Sequence, residues 1–89
     1  MTEDKFYIYA IVSLLDNRIY VGMSKNVNQR IHEHNAGKVI STKPFIPWIM
    51  FFNQFAGDSK SARKLEKYFK TAAGKKKLRK ILISLNSGS

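Results

Sequence analysis

No cysteine occurs in the 89 residues, so neither disulfides nor thiolate-held metals contribute to this fold. That usage is compatible with a reducing interior. A long hydrophobic run is missing as well. The longest, FIPWIMFF, spans eight residues and contains a proline, too short for a bilayer span and without the charged lead of a signal peptide. Internal repeats, low-complexity tracts and linkers are also absent. The expectation is one soluble, cytoplasmic domain that touches no membrane. A chain of this length buries roughly 60–65% of the surface its unfolded form exposes, a modest core that is sufficient without staples.

Acidic side chains are scarce too: six Asp and Glu stand against sixteen Lys and Arg, a formal net charge of +10. The excess is uneven, with ten Lys or Arg between Lys60 and Lys80 and a single acid, Glu66. Such a stripe is the electrostatic footprint expected for a phosphate backbone, although a solvated helical face carries the same charge.

Two period-two runs come first. In FYIYAIVS, Phe6, Ile8, Ala10 and Val12 share one face and Tyr7, Tyr9 and Ile11 the other; RIYVGM returns after Asp16-Asn17. A turn centred on Asp16-Asn17 pairs Tyr9 with Ser24, Ile11 with Gly22 and Ser13 with Tyr20, so that Tyr9, Tyr20 and Gly22 lie on one face. Glycine within a strand marks a bulge or the close approach of another group, here a hollow between two phenols. Met1 to Lys5 read as a polar lead, residues 6–85 as the domain and NSGS as a frayed tail.

The segment SKNVNQRIHEHNAGK carries helix punctuation, Ser24 or Asn26 at its start and Gly37 at its end. Val27 and Ile31 face inward. Arg30 and His34, four residues apart, stand together, and His32 points elsewhere. They are either a phosphate clamp with a proton-carrying neighbour or two solvated polar residues. Ser41, Thr42 and Lys43 in the next loop suit phosphate contacts. The apolar PWIMFFNQF is expected as a third strand buried on both faces, with Trp48 in the core or at a strand edge. In GDSKSARKLEKYFKTAAG, capping residues Asp58, Ser59 and Ser61 precede a stripe of Ala62, Leu65, Phe69 and Ala72. Glu66, at the stripe's margin, is either a hard ligand for a divalent ion or the partner of Lys70 in an ordinary i, i+4 pair. A last helix repeats Leu78, Ile81, Leu82 and Leu85. The fold class is therefore α+β, a small three-stranded, mainly antiparallel sheet flanked by helices in the order β-β-α-β-α-α.

The ordered set YIY (Tyr7 to Tyr9), YVG (Tyr20 to Gly22), Arg30, His34 and Glu66 resembles the GIY-YIG nuclease domain. TKPFIPW and ARKLEKYFK look like this family's loop, third strand and helix, and the resemblance runs from Phe6 to Leu82. It is similar to the small stand-alone bacterial members and to the N-terminal nuclease domain of the excision-repair excinuclease. Tyr7 replaces the first glycine of the motif and Val21 its isoleucine; the late asparagine of larger members has no counterpart in KKLRKIL, and Asn86 comes too late to serve.

What the resemblance implies is phosphodiester hydrolysis in DNA, with branched DNA or RNA as further substrates. One Mg²⁺ or Mn²⁺ ion sits on Glu66, Arg30 clamps the phosphate, Tyr9 accepts the proton of the attacking water, and Tyr20 and His34 orient or relay. A nearby cation or metal must then lower the Tyr9 pKa from about 10. Tyr7, Gly22, Lys25, Lys43, Lys67, Lys70, Lys75 and Lys76 are the expected nucleic-acid contacts. A domain this small has little surface for reading bases, so selectivity is expected from DNA shape or a partner protein. Two other classes share the charge: a non-catalytic DNA- or RNA-binding module and a small structural RNA-binding protein.

Overall fold

In the computed structural model, residues 5–87 are described. Met1–Asp4, most of the expected polar lead, and Gly88 and Ser89 of the expected tail lie outside them. The elements are β1 (Phe6–Ser13), β2 (Ile19–Ser24), α1 (Val27–Asn35), a 3₁₀ turn (Lys43–Phe45), β3 (Trp48–Gly57), α2 (Ser59–Phe69) and α3 (Ala72–Ser87). This is the expected α+β fold in the expected order. Both pairings of β1 are antiparallel and the sheet order is β2-β1-β3.

Pleat alternation in β1 assigns its side chains to two half-cores. Ile8 and Ala10 join Val21 beneath Ala62, Phe69 and Leu78 of α2 and α3. Tyr9 and Ile11 join Trp48 on the opposite face, under Val27 and Ile31 of α1 and Phe45 and Ile46 of the loop. The central strand is thus covered on both sides, which is why it is buried from Ile8 to Ser13. The expectation of a doubly buried third strand is corrected: β3 is an edge strand, with Ile49 50% and Phe55 56% exposed. Trp48, in contrast, is in the core as expected.

The hairpin register is also corrected. Tyr9 faces Gly22, Ile11 faces Tyr20 and Tyr7 faces Ser24, two residues away from the expected pairing. The cause is the loop, which spans residues 14–17 instead of turning at Asp16-Asn17. Ser13 N–H donates to the Arg18 carbonyl and Asn17 N–H to the Ser13 carbonyl, both at 2.9 Å. Asn17, one of the few residue types at ease in the left-handed region, closes the loop at φ 64°. A slip of two preserves pleat parity, so Tyr9, Tyr20 and Gly22 still share a face.

Capping accounts for both helix starts that frame the site. The Asn26 side chain accepts from Gln29 N–H at 3.1 Å and Asp58 from Ser61 N–H at 2.8 Å. The apolar stripe expected to run through Ala72 stops at Phe69, because Ala72 opens a separate helix whose first turn is tied by Gly74 N–H to Thr71 Oγ1 at 3.1 Å. A Cβ at Gly74 would collide with the Tyr68 carbonyl and the Phe69 Cα, so this corner closes only on glycine. Gly74→Ala is expected to cost about 2 kcal/mol and to lower Tm by roughly 10 °C. An unchanged thermal melt would show that the α2–α3 corner has slack.

Candidate active site

Tyr9 is the centre of the site, and its position follows from the register. Directly opposite stands Gly22, and a Cβ there would lie 2.5 Å from the Tyr9 hydroxyl and 2.6 Å from its Cζ. The hollow expected between the phenols is therefore filled by the Tyr9 ring, which lies across the glycine. Gly22 is buried and makes room for a side chain, not for a phosphate. Since Tyr9 is 1% exposed, its ring has nowhere to retreat. Gly22→Ala is expected to displace the phenol, visible as a shifted Tyr9 ring signal in NMR. An unshifted spectrum would show that the β2 backbone yields and the ring stays in place.

The Tyr9 hydroxyl lies 2.8 Å from His34 Nε2, and His34 Nδ1 lies 2.7 Å from Thr42 Oγ1. Thr42 spends its single hydroxyl hydrogen on the Val39 carbonyl at 3.3 Å. With that hydrogen assigned to Val39, the Thr42 oxygen accepts from His34 Nδ1–H and Nε2 is left to accept from Tyr9 O–H. The result is a one-way chain, Tyr9 to His34 to Thr42 to Val39. Both His34 and Thr42 are almost wholly buried. Thr42, expected to contact phosphate, is instead buried and hydrogen-bonded to His34. Asn35 fixes the helix that carries His34 by bonding both backbone groups of Trp48, donating to its carbonyl at 2.9 Å and accepting from its N–H at 2.7 Å.

These surroundings set the protonation states. Burial, then the neighbouring Tyr20, pushes the Tyr9 phenol up to about 12, against smaller downward pulls from Arg30. Arg30, the neighbouring cation, does not by itself bring the phenol down to the range expected for a phenolate base. Burial, then the Arg30 cation, holds His34 below its ordinary 6.5, so the ring is neutral at pH 7. A neutral imidazole with a bare Nε2 is a proton acceptor for Tyr9.

Tyr20 approaches from β2, its ring centroid 6.4 Å from Tyr9 and 5.1 Å from His34. Arg30 comes from α1 and bonds Glu33 at 2.9 Å, a partly exposed i, i+3 pair. Such pairs are worth roughly 0.3–0.5 kcal/mol, so a phosphate can take the guanidinium from Glu33 at small cost. The i, i+3 spacing of Arg30 and Glu33 is the sequence signal for this pair. Glu66 enters from α2, near enough to act on Tyr9 electrostatically. It forms the ordinary pair with Lys70, at 3.4 Å, one of the two roles expected for this glutamate.

Whether a divalent ion fits here turns on the donors. Among the described residues no three His, Cys, Asp or Glu cluster as a cage. A hard ion that keeps most of its waters and shares a substrate phosphate needs only one or two carboxylates. Glu66, 23% exposed at its side chain with one oxygen engaged by a weak pair, meets that need.

The remaining expected contacts scatter. Tyr7 packs edge-on against Phe55 at 5.4 Å, Lys25 lies over the Phe6 ring at 5.2 Å, and the Lys43 stem runs past Gly37. Lys67 and Lys76 are exposed on α2 and α3. Lys70 and Lys75 do converge, joined by Arg18 and Arg79, which residue-by-residue reading did not single out. Arg79 sits four residues after Lys75 on the same helical face, a spacing that would have found it. Asn86 lines a separate apolar groove near Leu14 and Leu82, away from the site. No helix among the described residues is long and apolar enough to cross a membrane.

The family model described as the GIY-YIG catalytic domain matches residues 5–79. The chain is similar to a UPF0213 protein of Staphylococcus haemolyticus, 36% identical over 78 residues that cover 86% of this chain and 94% of the relative. A UPF0213 protein of Staphylococcus aureus is 34% identical over 79 residues, covering 88% and 95% respectively, and one of Bacillus cereus is 31% identical over 78 residues, covering 86% and 80%. No solved structure gives a significant match.

Proposed function

The chain belongs to the GIY-YIG catalytic domain family, a family of nucleases that act on nucleic acid with a divalent metal, and on that premise we propose that it is a DNA endonuclease. The reaction is hydrolysis of a phosphodiester bond, with Mg²⁺ or Mn²⁺ as the ion. The observation that carries this reading is the buried hydrogen-bonded series Tyr9, His34 and Thr42, set beside one cation and one carboxylate.

In the mechanism that these residues support, Arg30 turns from Glu33 to the scissile phosphate and balances its charge. The Tyr9 oxygen accepts the proton of the attacking water while its own hydroxyl proton passes to His34 Nε2. Tyr9 therefore stays neutral throughout, which suits a phenol whose pKa is about 12. The Thr42 hydroxyl, anchored on Val39, holds Nδ1–H in place as the imidazole becomes a cation. Tyr20, flanking both rings, orients the water or the phosphate. Glu66 is the residue that would hold the ion, which when bound supplies charge neutralisation at the leaving oxygen. The P–O bond breaks as the water oxygen bonds phosphorus, and the leaving oxygen takes a proton from solvent.

With few groups placed to read base edges, the expected preference is for shape: flapped or branched DNA of the kind met in repair and recombination, with a partner protein adding selectivity. The test is cleavage of labelled single-stranded, duplex, flapped and branched substrates with Mg²⁺ or Mn²⁺ and with chelator. Metal-dependent products, most abundant from branched forms, are expected. Binding of every substrate without cleavage of any would replace this reading with a non-catalytic binding module.

A further inference from the structure

A second cationic feature adjoins the site. Between the free edge of β2 and the two C-terminal helices lies a cleft of about 430 Å³, lined by Arg18, Ile19, Tyr20, Val21, Lys70, Lys75 and Arg79. Four of these residues are cations and none is an acid. Lys70 connects the cleft to the chemistry through its pair with Glu66, while Tyr20 lines it from β2 with its ring turned to Tyr9 and His34 on the other face of the sheet. Arg18 is held in place by Asp16 at 2.7 Å and by stacking 3.4 Å above the Phe45 ring. Lys75 and Arg79, one turn apart on α3, have no ion-pair partner among the described residues.

Two unneutralised cations on an ordered helix, facing a concave wall that ends at Tyr20, form a receptor for one more anion next to the catalytic one. We propose that this cleft binds a backbone phosphate adjacent to the scissile phosphate, so that the substrate is a strand continuing past the cleavage point along β2. The proposal rests on the nuclease reading for the identity of the first phosphate. It adds a direction: of the basic residues, Lys75 and Arg79 hold the continuing strand, whereas Lys25, Lys43, Lys67 and Lys76 lie outside the cleft. A contact from Lys75 and Arg79 to a backbone phosphate positions the strand and carries no sequence information of its own.

The test is binding of a labelled single-stranded oligonucleotide, by fluorescence anisotropy in chelator across a salt series, so that the result stands whether or not the protein cleaves. Lys75→Gln/Arg79→Gln is compared with Lys38→Gln/Lys60→Gln, which makes the same charge change at exposed positions outside the cleft. The cleft variant is expected to bind more than tenfold more weakly, with a log–log salt slope shallower by about 1.5. The control is expected to change little, because charges beyond about 10 Å are screened at moderate salt. Equal losses in both variants would overturn the proposal in favour of diffuse attraction. Displacement of the oligonucleotide by inorganic phosphate or a nucleoside monophosphate as readily as by an unlabelled strand would overturn it in favour of a terminal-phosphate pocket. Where wild type cleaves, a dinucleotide with no phosphate beyond the scissile one is expected to be cut equally by wild type and cleft variant. Thermal melts of all variants separate binding losses from misfolding.

Discussion

Glu66→Ala is expected to abolish strand cleavage, by about a thousandfold or more, while leaving oligonucleotide affinity in chelator within about twofold of wild type. The carboxylate is one of few acids on a surface of net charge +10 and the single one in the stretch from Lys60 to Lys80. If it served only as the partner of Lys70, its removal would cost roughly 0.3–0.5 kcal/mol of stability and leave turnover unchanged. Binding would then improve slightly, because one negative charge is gone. The two roles differ further in a titration of Mn²⁺ without substrate: heat of binding in wild type that vanishes in Glu66→Ala places the ion on this side chain. Lys70→Met separates the pair from the ligand role, since removing the competing cation is expected to tighten metal binding. An active Glu66→Ala variant would sink the metal assignment.

Much of the architecture was legible in the sequence because the hairpin and the first two helices carried both periodicity and punctuation. Alternation in FYIYAIVS sorted Ile8 and Ala10 from Tyr9 and Ile11, and those are the two half-cores. Asn26 and Asp58 opened helices as their side-chain acceptors require. What the sequence concealed was set by contacts between distant segments. Loop length in the hairpin depends on Asn17 adopting φ 64° and on the Ser13 hydroxyl, which donates to the Phe45 carbonyl at 2.7 Å across 32 residues. No local pattern encodes that bond. The third strand reads as doubly buried by composition, yet strand order puts β1 in the middle, and order is a tertiary property.

The site divides in the same way. Tyr9, Tyr20, Arg30, His34 and Glu66 were found as residue types in order, and the structure brings them to one locus. Their chemistry was less visible. Gly22 suggested an open hollow, whereas the register sets it under the Tyr9 ring; a shift of two positions decides between those pictures. Thr42 sits among Ser41 and Lys43, which makes it look like a phosphate contact, and only the fold turns its hydroxyl inward to His34. The perturbed acidities of Tyr9 and His34 follow from that burial, so they too lay beyond a linear reading.

Tyr9→Phe and His34→Gln are each expected to lower turnover by about 10²–10⁴-fold, and the double variant is expected to fall no further than the worse single one. Groups that act in series on one proton fail together. Independent groups would multiply their losses, and a double variant far below both would refute the relay. The pH profile gives a second discrimination. His34 must be neutral to receive the proton, and burial beside Arg30 holds it below 6.5, so activity is expected to decline only under that value. From there to alkaline pH the rate should be level, because a hydroxyl that relays does not need to ionise. A phenolate base with a pKa of about 12 would instead make the rate climb tenfold per pH unit through the same range. Stability follows the same group: unfolded His34 takes up its proton near 6.5 and the folded ring only at lower pH, so the unfolded state binds more protons in that interval. The fold therefore loses stability as pH drops below about 6.5, and His34→Gln should flatten that dependence. A melt series in which wild type and variant fall in parallel would show that His34 is not the titrating group.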